Sequence, residues 1–406
     1  MESLQNNASP NYGTKSYLRR LAEVGIVSAK LGLTSFGGPI AHLAYFRDEY
    51  VVRRKWLDET SYADLVALCQ FLPGPASSQV GIGIGIVRAG LWGGLTAWLG
   101  FTLPSVIALV MFAYLMHGFD IAGSGWIHGL KIVAVAIVAH AVSGMGQKLA
   151  SDRSRATIAV LTASVTLLWQ SAVTQVLLIV LAGLIGLRLY RGTVRAESPD
   201  LRIRIGRKAA VSCLILFGAL LIALPIFRQT AVTGWLPLFD SFYRAGSLVF
   251  GGGHVVLPLL EREVVPTGWV SQEQFIAGYG AAQAVPGPLF TFASYLGAMT
   301  GGIGGALVAT AAIFTPAFLL VVGTLPFWNS LRRSANVQAA LTGVQAAVVG
   351  ILLAALYDPL WTTAIRAPVD FALVSILFMM LAFWKLPPWI VVAAGAAGGA
   401  FIHWIA

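Results

Sequence analysis

The chain has 406 residues, of which 57% are hydrophobic and only 11% are charged, and its formal net charge is +10. Soluble domains carry roughly 25% charged residues, so this composition excludes a soluble globular protein and predicts an integral membrane protein. No stretch interleaves basic and aromatic residues on a soluble domain, so the positive charge does not predict a nucleic-acid partner.

The first twenty residues are polar and end in Arg19 and Arg20. They lack the short apolar core and small-residue cleavage site of a secretory signal peptide, so the first apolar stretch is expected to be retained. Apolar stretches fall at about 21–36, 62–88, 90–116, 126–146, 157–187, 209–227, 274–300, 302–331, 335–357 and 371–406. Since about 20 residues suffice to cross a bilayer, these stretches predict an all-α polytopic membrane protein with about ten to thirteen helical elements.

The same motifs occur twice along the chain. Phe36-Gly37-Gly38-Pro39 precedes Pro73-Gly74-Pro75, and Phe250-Gly251-Gly252-Gly253 precedes Pro286-Gly287-Pro288. Between these landmarks, Glu49 aligns with Glu263, Trp56 with Trp269, and Gln70 with Gln283. The chain is therefore predicted to be a tandem duplication of two homologous helical halves.

A basic segment separates the two copies. Seven Lys or Arg residues lie within 188–208, which predicts a cytoplasmic linker at 191–208 between an N-terminal repeat, 1–190, and a C-terminal repeat, 209–406. Equivalent loops differ in charge, because the loop after the Pro104 stretch lacks Lys and Arg whereas Arg332 and Arg333 follow the Pro316 stretch. The unpaired segment 209–227 provides one additional crossing. The sequence thus predicts inverted repeats, with the N-terminus in the cytoplasm.

Each Pro-Gly-Pro motif interrupts an apolar stretch. Proline lacks an N–H donor and disfavours helix in the preceding residue, but it suits the first turn of a new helix, so a helix is expected to begin near Pro75 at membrane depth. The free N–H groups and partial positive charge of such a terminus favour an anion, whereas a kinked packing helix is the alternative. The polar residues that would complete this substrate site are Gln70, Ser77, Ser78 and Gln79 in the first copy and Gln283, Thr291 and Ser294 in the second.

The Phe-Gly-Gly motifs are interpreted in the same way, as interrupted helices. His42 and His254 follow the two motifs, but at positions that do not align. This mismatch favours packed or interfacial histidines over a shared role as ligand or proton relay.

Three cations inside apolar sequence are further candidates for substrate binding, because burying a cation requires a partner or an aqueous cavity. Lys30 and Arg244 each stand six residues before a Phe-Gly-Gly motif, which favours a shared role, and Arg88 is the third. Snorkelling towards lipid headgroups is the alternative, and it is the preferred interpretation for Lys131. The aligned Glu49 and Glu263 are candidates for proton coupling, with an interfacial salt bridge as the favoured alternative.

The sequence contains no motif for a metal site, a cofactor site or an enzyme active site. Cys69 and Cys213 stand in apolar sequence without metal-ligand spacing, so they are read as small hydrophobic residues, and no cofactor is predicted. No P-loop, paired carboxylates or nucleophile triad occurs, which argues against an enzyme and against ATP-driven pumping. The GxxxG spacings of Gly81 with Gly85 and of Gly395 with Gly399 predict close helix packing.

The repeated motifs, together with Lys55-Trp56-Leu57, the segment 67–75 and the segment 284–288, closely resemble the chromate ion transporter family over nearly the whole chain. The chain is similar to the long, two-domain form. The resemblance implies that the protein exports chromate across the bacterial inner membrane and so confers resistance. In this family, the resemblance also implies, single-domain relatives work as pairs. Because Gly253 replaces Pro39 in the second copy, the halves are expected to differ in function.

Two other functions stay open at this stage. One is a carrier for sulfate or a related oxyanion, working by uptake or exchange, and the other is a membrane scaffold without transport. The oligomeric state is also open, with a homodimer as one option.

Overall fold

The computed structural model of the chain describes residues 14–118, 124–190, 205–229, 234–250, 252–328, 331 and 334–405. These residues form fifteen α-helices of nine residues or more and no strand. The first seven are α1 (Thr14–Thr34), α2 (Gly38–Phe46), α3 (Glu59–Phe71), α4 (Ala76–Gly118), α5 (Gly125–Leu149), α6 (Arg153–Leu168) and α7 (Ala172–Leu189). The others are α8 (Arg207–Arg228), α9 (Trp235–Leu248), α10 (Val256–Val264), α11 (Gln272–Ala282), α12 (Phe292–Thr324), α13 (Ala335–Ala355), α14 (Pro368–Ala382) and α15 (Pro388–Ile405).

The exterior of the molecule is apolar. Within the described residues, six helices are long and apolar enough to cross a membrane. Large apolar side chains remain exposed on the outer helices, as at Leu168, Val173 and Ile222. Such a surface is stable in lipid and unfavourable in water, so the chain is an all-α polytopic membrane protein, as the sequence predicts. The helices outnumber the ten to thirteen predicted elements, because each glycine-rich or proline-rich break divides one stretch into two helices.

The same succession of seven helices occurs twice, first as α1–α7 and then as α9–α15. In each copy, a first helix ends before the Phe-Gly-Gly motif, and a long helix follows the Pro-Gly-Pro motif. Helix α8 has no counterpart in the first copy, as expected for the unpaired segment 209–227. Most of the predicted linker, 191–204, lies outside the described residues.

The long helices α4 and α12 each fold back into a hairpin. Helical dihedral angles are lost at Ala89 and Gly90 and, equivalently, at Gly301 and Gly302. A Cβ added to Gly85 would lie 2.3 Å from the carbonyl oxygen of Gly93. Residues eight apart are about 12 Å apart in a straight helix, so the chain must reverse here. The first limb of α4, 76–88, is therefore re-entrant, and the second limb, 91–118, is long enough to cross.

The second limbs of the two hairpins pack against each other in opposite directions. The Trp98 ring lies 5.7 Å from the Phe314 ring, between centroids. Further along α4, the Tyr114 hydroxyl lies beside Gly302, which is at the start of the second limb of α12, 303–324. Because equivalent helices run antiparallel, this packing agrees with the inverted repeats that the sequence predicts.

Leu91 and Ile303 provide a test of this inversion, since each is exposed and begins the second limb of its hairpin. Single cysteines are placed at these positions in a chain whose Cys69 and Cys213 are replaced by alanine. Membrane-impermeant maleimide should label Leu91→Cys from one side of the membrane and Ile303→Cys from the other. Labelling of both variants from the same side would contradict an inverted arrangement.

The two copies are interleaved rather than side by side. Helix α5 packs along α15, and the equivalent α13 packs along α7, so the fifth helix of each copy lies on the last helix of the other. These contacts depend on glycine, because a Cβ added to Gly129 would lie 2.1 Å from the carbonyl oxygen of Gly395. Gly399 is equally close to Gly125 and Gly129, as its GxxxG spacing predicts. Neither copy completes its packing alone.

Candidate functional site

The broken segments of the two copies cross each other, and we call this region the crossing. The N–H of Gly74, in the first Pro-Gly-Pro motif, donates to the carbonyl oxygen of Val249 at 2.7 Å. The N–H of Gly287, in the second, donates to the carbonyl oxygen of Ser35 at 2.9 Å. Val249 and Ser35 directly precede the two Phe-Gly-Gly motifs. Each Pro-Gly-Pro motif is thus held by the Phe-Gly-Gly break of the other copy.

Each Pro-Gly-Pro motif also contacts the hairpin of the other copy. A Cβ added to Gly74 would lie 3.6 Å from the Ala317 side chain, and one added to Gly287 would lie 2.8 Å from the Ser105 hydroxyl. Ala317 and Ser105 directly follow the equivalent prolines of the second limbs. The crossing therefore has an approximate two-fold symmetry that brings four interrupted segments together.

Glycine makes this geometry accessible to the backbone. Gly37, Gly38, Gly74 and Gly287 have φ angles of 99°, 80°, 117° and 102°, in the region that residues with a Cβ rarely adopt. Gly252 also has a positive φ, whereas Gly251 lies outside the described residues.

The other break residues occupy the helix ends that flank the crossing. Phe36 lies between α1 and α2, with its ring 6.2 Å from the Trp389 ring of α15, and Phe250 follows α9. Pro73 and Pro75 precede α4, whose start at Ala76 agrees with the predicted new helix near Pro75. Pro286 and Pro288 lie between α11 and α12.

The first turn of α4 carries the predicted polar side chains, and all three are buried. The Ser77 hydroxyl lies 3.3 Å from Nδ1 of His42, which is itself buried, as expected for a packed histidine. Gln79 Nε2 donates to the carbonyl oxygen of Pro73 at 2.8 Å. The Ser78 hydroxyl and Gln79 Oε1 have no hydrogen-bond partner in the part of the chain that the structure describes. The re-entrant limb therefore presents unpaired polar atoms beside the break.

In the equivalent turn of the second copy, the hydroxyl groups donate hydrogen bonds to backbone carbonyl oxygens of the same turn. Thr291 Oγ1 donates to the carbonyl oxygen of Pro288, and Ser294 Oγ donates to that of Thr291, both at 2.7 Å. His254 is partly buried, and its Nδ1 lies 2.7 Å from the Tyr279 hydroxyl.

The two aligned glutamines flank the Pro-Gly-Pro motifs. Gln283 caps the C-terminus of α11, and Gln70 is exposed near the end of α3. Their predicted role in substrate binding stays a prediction.

The aligned cations and the aligned carboxylates are partners of each other. Lys30 Nζ lies 3.0 Å from Glu49 Oε2, and Arg244 Nη1 lies 2.8 Å from Glu263 Oε1. Both copies thus form the same ion pair between the helix before the Phe-Gly-Gly break and the segment after it. This geometry agrees with the salt-bridged interpretation of both glutamates. The roles in substrate binding and in proton coupling stay predictions.

Each ion pair belongs to a larger cluster. In the second copy, the fully buried Asp240 accepts hydrogen bonds from Arg244 at 3.0 Å and from Arg228 at 3.2 Å. In the first copy, Arg54 donates to Glu49 at 2.8 Å and also contacts Glu23.

Arg88 belongs to the cluster of the first copy. It donates to Glu23 at 3.0 Å, and its guanidinium lies 5.1 Å from the centroid of the Trp56 ring. All three predicted substrate cations therefore have carboxylate partners in the protein.

Sequence reasoning missed Arg228, Asp240 and Glu23 as members of these clusters. Asp240 stands four residues before Arg244 on α9, a helical ion-pair spacing that could have revealed it. Glu23 and Arg228 come together with their partners only through the tertiary fold. Lys131 does not snorkel as expected, because its side chain is buried and its Nζ lies 3.6 Å from Glu273 on α11.

Two copies that pack in opposite directions, re-entrant hairpins and broken segments that cross between the copies agree with the architecture found in many membrane transporters. Both copies match the model of the chromate transporter family, at residues 22–187 and 236–400. The chain belongs to the chromate transporter family.

Individual relatives agree with this assignment. The chromate transport protein of Pseudomonas aeruginosa is 29% identical over 91% of this chain and 89% of its own length. That of Cupriavidus metallidurans is 27% identical over 91% of this chain and 90% of its own. An uncharacterized transporter of Bacillus subtilis, YwrA, is 29% identical over 41% of this chain but 97% of its own length, and so corresponds to about one copy. No solved structure matches the chain.

Proposed function

We propose that this protein is a carrier that exports chromate across the bacterial inner membrane and so confers chromate resistance. The observation that carries the proposal is the reciprocal crossing, in which Gly74 and Gly287 each donate to the other copy. In lipid, interrupted helices are tolerated where they line a polar cavity or are buried in protein, and carriers bind their substrates at such places. A membrane scaffold would need no such breaks.

The start of α4 supplies the chemistry that an oxyanion requires. A helix N-terminus presents unpaired N–H groups and a partial positive charge, and Ser77 and Ser78 add hydroxyl groups in the first turn. Chromate is a tetrahedral dianion that accepts hydrogen bonds on all four oxygens. The two chromate transport proteins that align with most of this chain support the choice of substrate.

The membrane potential is sufficient to drive export. Moving one charge through 100 mV corresponds to about 2.3 kcal/mol, so a dianion that leaves a negative interior gains roughly 4.6 kcal/mol. This free energy supports a concentration gradient on the order of a thousandfold. The basic residues Arg19 and Arg20 before the first apolar stretch support a cytoplasmic N-terminus in this proposal.

Proteoliposomes loaded with radiolabelled chromate test the proposal. An inside-negative potassium diffusion potential should accelerate loss of chromate, and an inside-positive potential should slow it. Equal rates at both polarities would contradict potential-driven export. Absence of transport at any potential would contradict the carrier function itself. Excess unlabelled sulfate in counterflow measures selectivity, since a general oxyanion carrier would exchange it as readily as chromate.

A further inference from the structure

At six equivalent positions around the crossing, the residue is polar in the first copy and apolar in the second. Shared landmarks fix the equivalent positions: Ser35 and Val249 precede the Phe-Gly-Gly motifs, and Thr102 and Phe314 stand two residues before Pro104 and Pro316. The other pairs, polar residue first, are His42 and Val256, Ser77 and Phe290, Gln79 and Phe292, and Ser105 and Ala317. Only the position of Ser78 and Thr291 carries a hydroxyl group in both copies.

Four of these polar residues, Ser35, His42, Ser77 and Ser105, lie around one place. Gly287 binds the backbone of Ser35 and lies against Ser105 and the carbonyl oxygen of Phe101. The His42 ring packs on the Phe101 ring at 5.5 Å between centroids and contacts Ser77 in the first turn of α4. Both limbs of the first hairpin and the first Phe-Gly-Gly break therefore contribute polar groups to this side of the crossing.

Several of these buried polar atoms have no partner. Within the described residues, Ser35 Oγ, Ser78 Oγ, Gln79 Oε1 and Thr102 Oγ1 make no hydrogen bond, although each of these residues is at least 98% buried. Buried polar groups in native proteins are almost always paired with protein, water or a ligand, because leaving them unpaired is costly. Gln79 Oε1 can only accept a hydrogen bond, whereas the three hydroxyl groups of Ser35, Ser78 and Thr102 can donate, and these three indicate a place that a polar ligand fills.

The equivalent side of the second copy is filled by its own side chains. Val249 and Phe292 are fully buried, and the rings of Phe290 and Phe314 pack at 6.0 Å between centroids. The Thr291 hydroxyl is paired with the carbonyl oxygen of Pro288. These aromatic side chains stand at positions where the first copy carries the polar Ser77, Gln79 and Thr102.

We infer that the chain has a single oxyanion-binding position, on the first-copy side of the crossing, and that Phe290, Phe292 and Phe314 close its counterpart. This inference rests on the proposed carrier function. The ligand class is tetrahedral oxyanions, bound by neutral donors: hydroxyl groups and the N–H groups at the start of α4. Cations are not needed in direct contact, since Lys30, Arg88 and Arg244 are engaged by carboxylates.

Equilibrium binding of radiolabelled chromate to the purified full-length chain tests the inference. One chromate ion should bind per chain, and Thr102→Val should weaken binding about tenfold, as expected for loss of a hydrogen bond to a charged ligand. The same substitution should leave the thermal midpoint of the ligand-free protein unchanged or raised, because it removes an unpaired buried hydroxyl. The rise in Tm that saturating chromate produces should shrink accordingly.

Thr324→Val is the matched control, because this buried hydroxyl on α12 is already paired with the carbonyl oxygen of Leu320. It should leave the affinity for chromate unchanged. Two chromate ions per chain, or an undiminished affinity in Thr102→Val, would overturn the single-site inference and leave the carrier proposal intact. Absence of both chromate binding and chromate transport would overturn both.

Discussion

Replacing Gly287 by alanine is expected to reduce chromate transport about tenfold or more. The φ angle of 102° is unfavourable for any residue with a Cβ and costs about 1–3 kcal/mol, where 1.4 kcal/mol corresponds to a factor of ten. The new Cβ would also lie 2.8 Å from the Ser105 hydroxyl and 3.3 Å from the carbonyl oxygen of Phe101. The second Pro-Gly-Pro motif must then move away from the first copy and weaken its hydrogen bond to Ser35. Transport rate per folded molecule in proteoliposomes measures the effect.

Gly234→Ala is the control that separates disruption of the crossing from the effect of backbone strain alone. Gly234 has a φ angle of 101°, and no atom of the described residues lies within 4 Å of an added Cβ. This substitution at the start of α9 should lower stability by a similar amount while transport per folded molecule is retained. Equal loss of transport in both variants would show that general destabilisation, and not the crossing, explains the result.

Replacing Arg244 by alanine should destabilise the protein far more than replacing its aligned partner, Lys30. Without Arg244, the fully buried Asp240 and the nearly buried Glu263 share Arg228 as their cation. Removal of one partner from a buried ion pair typically costs about 3–5 kcal/mol. The Lys30 side chain is 53% exposed, and Glu49 keeps Arg54, so Lys30→Ala should cost only about 0–1 kcal/mol.

Thermal unfolding in detergent compares the two variants, with transport normalised to folded protein. Arg244→Lys, which retains a charge, should recover part of the lost stability. Similar unfolding midpoints for Arg244→Ala and Lys30→Ala would contradict the difference in burial. A stably folded Lys30→Ala protein without chromate transport would support the substrate-binding role that the sequence suggests for this cation.

The sequence predicts the fold class because its signals are local. Composition and charge-free stretches establish a helical membrane protein, and duplicated Pro-Gly-Pro and Phe-Gly-Gly motifs mark the breaks. Proline and glycine restrict the backbone of their own segment, so the start of a helix directly after Pro75 can be predicted from the sequence. The alignment of Lys30 with Arg244, and of Glu49 with Glu263, is equally a property of the sequence.

Contacts between side chains that are far apart in the sequence are harder to predict. Spacing gives no indication that Lys30 faces Glu49, or that Lys131 is buried against Glu273 of the other copy. Substrate roles assigned to cations in apolar sequence therefore compete with ion pairs that only folding creates. The sequence contains Arg228, Asp240 and Glu23, but it does not indicate that they cluster.

Hydrophobicity and backbone restrictions act within each segment, so the amino-acid sequence is enough to predict a duplicated, all-helical membrane protein with breaks at defined residues. The folded chain was needed to show that Gly74 contacts Val249 and Gly287 contacts Ser35. It also showed that α5 and α13 each pack on the last helix of the other copy, and that aromatic rings of the second copy pack together at the crossing. These features depend on contacts between residues far apart in sequence, which form when two inverted copies pack together.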